Sequence, residues 1–126
     1  MNAPVRFAPA STGPALREEL AHQGLALAAF NGAAISDGPA LLKALGKALD
    51  FPAYYGANWD AAEECLRDLA EPFPQGCALV IDHAGILWQR LPRKMGQLVS
   101  VWLAASDDLA TAGIPLQLIF LLESRR

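Results

Sequence analysis

Three short apolar runs constrain the fold more than anything else in this chain: residues 25–30 (LALAAF), 77–81 (CALVI) and 116–122 (LQLIFLL). Turn residues bound them, with Gly24 and Asn31-Gly32 around the first, Gly76 and Asp82 around the second, and Pro115 before the third. Runs this short between turns read as strands buried on both faces. The stretches between them are long enough for helical crossovers, which forces parallel pairing. The expected fold class is therefore α/β, a three-stranded parallel sheet with helices packed on it. The order is strand, two helices, strand, two helices, strand.

The helices are legible from spacing and caps. Ser36 or Asp37 caps a helix with Pro39 in its first turn, and Leu41, Leu42, Leu45 and Leu49 follow at helical spacing. Residues 50–56 (DFPAYYG) form a loop, and Asn58 caps a second helix running to about Leu69. A short turn of helix covers residues 84–90. Pro92 then opens a longer helix whose apolar stripe is Met95, Leu98, Val99 and Trp102. Ahead of the first run, residues 1–13 read as a loose Ala- and Pro-rich tail, and Gly13-Pro14 opens a short helix ended by Gly24.

Composition bounds the function. A chain of 126 residues fits one domain, and 53% hydrophobic against 18% charged residues excludes disorder as the main state. A net charge of −3 argues against nucleic acid or an anionic membrane as the direct partner. The longest apolar stretch near the end is broken by Pro115 and Gln117 and is too short to span a bilayer. Cys65 and Cys77 make no disulfide framework and read as reduced thiols in a cytoplasmic protein without a secretory signal.

The second helix is the most informative segment. Asp60, Glu63, Glu64 and Asp68 share one face, while Trp59, Ala62, Cys65, Leu66 and Leu69 take the other. A solvated face is the bland account of such a pattern. Against it, acids cluster in the first turns, where the helix dipole favours negative charge. The preceding loop also sets Tyr54, Tyr55 and Gly56 beside them, and aromatics next to clustered charge are the material of binding hot spots. Arg67, four residues after Glu63, is placed to neutralise part of the patch.

The run FPAYYGANWDAAEECL, residues 51–66, resembles the signature of the barstar family, intracellular inhibitors of the ribonuclease barnase and related nucleases. Pro52, Tyr54-Tyr55-Gly56, Asn58, Asp60, the acid Glu64, Cys65 and Leu66 carry the resemblance. It implies a barstar-like domain over residues 25–126, with residues 1–24 an N-terminal extension carrying a short helix. It also implies a reversible, non-covalent inhibitor, an immunity protein against a cytotoxic ribonuclease. The partner-binding residues would be Tyr54, Tyr55, Gly56, Asn58, Trp59, Asp60, Glu63 and Glu64, the partner a basic extracellular-type ribonuclease. A nuclease site must be basic to hold a polyanion, so helix carboxylates can stand in for phosphates. The departures are informative. Glu63 stands where the family carries an aromatic contact residue, and Glu64 is one methylene longer than the aspartate expected. Arg90, Arg93 and Lys94 lie at the fourth-helix start, where the family can offer another acid. They point to a nuclease whose rim charge differs from that of barnase.

No enzyme, cofactor, metal or small-molecule ligand is expected. His22, His83, Cys65 and Cys77 lack close ligand spacing, and Gly24, Gly32 and Gly38 are isolated rather than a phosphate loop. Two alternatives stand beside the inhibitor: an interaction or regulatory module with a non-nuclease partner, and a small hydrolase using Asp60, Glu64 and His83. Asp82 and His83 are adjacent on a strand end and point to opposite faces, which works against the hydrolase.

Overall fold

A computed structural model describes residues 3–52 and 55–124. The strands are β1 (Val5–Pro9), β2 (Ala26–Asn31), β3 (Cys77–Asp82) and β4 (Leu116–Leu122), and the helices are α1 (Gly13–His22), α2 (Gly38–Ala48), α3 (Trp59–Arg67), α4 (Ala84–Arg90) and α5 (Pro92–Ala110). All strand pairings are parallel, in the order β1-β4-β3-β2.

The sheet thus has four strands, not three. The extra one is β1, drawn from the stretch expected to be a loose tail, and it pairs along β4 from Val5 opposite Leu118 to Pro9 opposite Leu122. Edge position explains why its sequence hides it. Pro4 and Pro9 sit at its ends, where a missing N–H costs little, and Arg6 interrupts any apolar run. Phe7 holds the strand down from one side, its ring 4.9 Å from Phe120 and 5.8 Å from Trp88.

The three expected strands are parallel neighbours around β3. Only β3 and β4 are buried on both faces. β2 is the other edge and alternates: Ala28 and Phe30 face the core, while Leu27 is 44% exposed.

Each face of the sheet has its own core. On one, Leu79, Ile81, Leu118 and Phe120 meet Leu41 and Leu45 of α2, Leu66 of α3, Leu87 of α4, and Leu98 and Trp102 of α5. On the other, Ala78, Val80, Ile119 and Leu121 meet Leu16 and Leu20 of α1, together with Leu25. Leu16 and Leu20 are one turn apart, so a single stripe of α1 covers this face. Arg17 on the same helix donates to Asp82 Oδ2 at 2.8 Å, tying α1 to the end of β3.

Both cysteines are free and buried. Burial pushes the Cys77 thiol up from 9.0 to about 12. It also raises Cys65, helped by the negative charges of Asp68 and Glu64. Both thiols are expected to be inert to a thiol-reactive dye at pH 8 in the native protein and to react once urea unfolds it; fast native reaction would contradict the burial. The unfolded Cys77 ionises near 9 and the folded one near 12, so its contribution is full below about pH 9 and is lost on rising to about 12.

Candidate functional site

The Tyr–acid segment is anchored from below. Phe51 N–H donates to Gly46 O at 2.9 Å and Tyr55 N–H to Pro52 O at 2.9 Å, which bends the loop back onto α2. The Tyr55 hydroxyl donates to Leu42 O at 3.0 Å, and its ring meets Phe51 edge-on with centroids 4.9 Å apart. Burial, and secondarily the Cys65 thiol, lifts the phenol from 10.0 to about 12. Tyr55 is therefore a half-buried prop of this loop, with one part of its surface left outward. Tyr54 lies outside the described residues.

Gly46 makes the seat possible. A Cβ there would stand 2.6 Å from Tyr55 Cε2 and 2.8 Å from its Cδ2. Gly46→Ala should displace the ring and cost about 1–3 kcal/mol by overpacking, despite alanine's better helix propensity. With only two tyrosines in the chain, an absorbance titration reads the result. The Tyr55 transition should drop from about 12 toward 10, and an unchanged titration would contradict the seat.

The acids are presented by a rigid start of helix. Asn58 Oδ1 accepts from Ala61 N–H at 2.8 Å, and Asn58 O accepts from Ala62 N–H at 2.9 Å. Just before it, Ala57 holds φ 51°, a left-handed conformation unfavourable for alanine that sets the direction of entry. Gly56 is exposed, and Trp59 is half-buried against the main core. Ala62, Cys65 and Leu66 turn inward. Asp60 and Glu64 are exposed, one turn apart, with no ion-pair or hydrogen-bond partner among the described residues.

Glu63 differs. Its Oε2 takes a hydrogen bond from Arg67 Nη1 at 2.8 Å, while Arg67 Nε reaches Asp108 Oδ2 on α5 at 2.5 Å. The bond to Asp108, above all, raises the Arg67 guanidinium above its ordinary value. Asp108 was invisible to sequence reasoning because it lies 41 residues away with no periodic relation to α3.

The basic cluster divides as well. Arg90 Nη1 donates to Ala33 O at 2.9 Å and Ile35 O at 3.1 Å, a structural clamp on the turn after β2. Lys94 lays its stem over Gly38, and Arg93 is exposed. His83 Nδ1 lies 3.0 Å from Glu123 Oε1, and Asp82 is held by Arg17. Neither pair includes Asp60 or Glu64, so the residues of the hydrolase alternative each have other engagements or none. Among the described residues, no group of three or more His, Cys, Asp or Glu side chains is placed to hold a metal. No helix among them is long and apolar enough to cross a membrane. A hollow of about 460 Å³ lies between the end of α5 and the start of β4, lined by Pro4, Ser106, Ile114 and Gln117 and none of the Tyr–acid residues.

A family model described as Barstar (barnase inhibitor) matches residues 25–121. No curated protein matches the chain. The match spans β2 through most of β4 and takes in the whole Tyr–acid segment, leaving β1 and α1 outside.

Proposed function

The chain belongs to the barstar family, and from that premise we propose that it blocks the RNA-binding site of a basic, extracellular-type ribonuclease with α3 and the loop before it. Barstar-family proteins are non-catalytic inhibitors of barnase-like ribonucleases, so the chain is a protein inhibitor and not an enzyme. The finer reading places it in the cytoplasm as an immunity protein. There it captures the nuclease before it meets cellular RNA.

One observation carries the reading: Asp60 and Glu64 stand exposed, one turn apart and without a partner among the described residues, on a capped helix whose entry loop is braced by Tyr55. Two carboxylates at that spacing can each accept charge-assisted hydrogen bonds from the cations that otherwise hold RNA phosphates. The helix is held in place before the encounter, so little ordering entropy is lost on binding. Opposite charge also speeds capture, which suits an inhibitor of a lethal enzyme. Tyr54, Tyr55, Gly56, Asn58 and Trp59 complete the proposed contact set.

The test is a pull-down from the native cell with the full chain as bait, followed by an RNA-cleavage assay on what is captured. The reading expects a basic ribonuclease whose activity falls to zero at one equivalent of inhibitor. Capture of no ribonuclease would overturn it.

A further inference from the structure

Arg67 sits among the acids of α3 and touches one of them. One edge of its guanidinium holds Glu63 at 2.8 Å and another holds Asp108 of α5, so a single side chain binds a carboxylate from each helix. Asp60 and Glu64, on the same face, are held by nothing among the described residues. We propose that Arg67 is a positioning residue that divides this face: it withholds Glu63 from the incoming nuclease and leaves Asp60 and Glu64 as the carboxylates that receive its cations. The inference rests on the nuclease-inhibitor reading and says which carboxylates carry it.

A nuclease arginine approaching Glu63 must displace Arg67, trading one charge-assisted hydrogen bond for another and leaving Arg67 with Asp108 alone. The same arginine at Asp60 or Glu64 breaks no pair among the described residues and gains a new one. The planar fork of arginine makes the bridge possible. A lysine is a point charge on a flexible stem and cannot hold two carboxylates through two fixed edges.

The test uses the full chain against both the captured ribonuclease and barnase, comparing wild type with Glu63→Gln, Glu64→Gln, Arg67→Met and the double variant Glu63→Gln/Arg67→Met. Glu63→Gln should stay within about 2-fold of wild type, while Glu64→Gln should lose about 30-fold or more. Arg67→Met frees Glu63 and adds negative charge, so association should quicken at low salt and depend more steeply on salt. In that background Glu63→Gln should now slow association several-fold, a crossing that a merely structural role would not produce. In the free protein, the Arg67 Nε–H should exchange with water more slowly than that of Arg93 and lose that protection in Asp108→Asn. Equal losses from Glu63→Gln and Glu64→Gln in wild type would overturn the inference. So would the absence of the crossing, or an Arg67 Nε–H as labile as that of Arg93. A wild-type chain that inhibits neither nuclease overturns the underlying reading instead.

Discussion

Removing residues 1–24 should leave a chain that no longer unfolds cooperatively near the wild-type midpoint. The deletion strips β1 from β4 and uncovers Ala78, Val80, Ile119 and Leu121, which on that face pack with Leu16 and Leu20 of α1, Ala8 of β1 and Leu25. Leu16 and Leu20 are 8% and 0% exposed, so their contacts vanish entirely. A milder form isolates the helix: Leu20→Ala alone should cost about 2–5 kcal/mol through lost burial and the cavity left behind. That is a large share of the roughly 5–15 kcal/mol that holds a domain together. The whole deletion should exceed it and expose a contiguous apolar face prone to association. Urea unfolding and light scattering read both effects. A truncated chain with an unchanged midpoint would mean that the sheet in solution does not depend on its fourth strand or on α1.

Neutralising Asp60 or Glu64 should have the largest functional effect. Asp60→Asn or Glu64→Gln is expected to weaken inhibition by about 2–5 kcal/mol, the range for breaking a desolvated charge pair in an interface. Much of that cost belongs to the nuclease, which would be left with a buried, unpaired cation. The same changes should shift the stability of the free inhibitor by less than about 1 kcal/mol, because both side chains are exposed. That separation between binding and folding distinguishes an interface residue from a structural one. Changes at Arg93, exposed at the start of α5, should act on the association rate instead.

What could be read from the residues is what depends on near neighbours. The Asn58 cap, the spacing of Asp60 and Glu64, and the inward stripe of Ala62, Cys65 and Leu66 are relations within one turn or two, and periodicity exposes them. Residues 77–81 and 116–122 were legible as strands from their short apolar runs, and the structure buries both on both faces. The run at 25–30 misled in one respect. Its alanines fit either environment, so nothing in it distinguished an edge from a centre. β1 left still less trace. Its place is set by pairing with a strand more than a hundred residues later, and an edge strand needs only one good face. The ion triad of Glu63, Arg67 and Asp108 and the Tyr55–Leu42 bond are likewise tertiary, and only the i, i+4 half of the triad was visible beforehand.

The central claim is that α3 imitates phosphate with Asp60 and Glu64. Its most direct measurement is a titration of the captured ribonuclease in an RNA-cleavage assay with wild-type, Asp60→Ala and Glu64→Ala proteins at two salt concentrations. The account predicts tight inhibition by wild type that weakens as salt rises, since exposed charges are screened over about 8 Å at physiological ionic strength. It also predicts losses of about 30-fold or more for each variant, with a flatter salt dependence. Equal inhibition by all three proteins at both salt concentrations would contradict it.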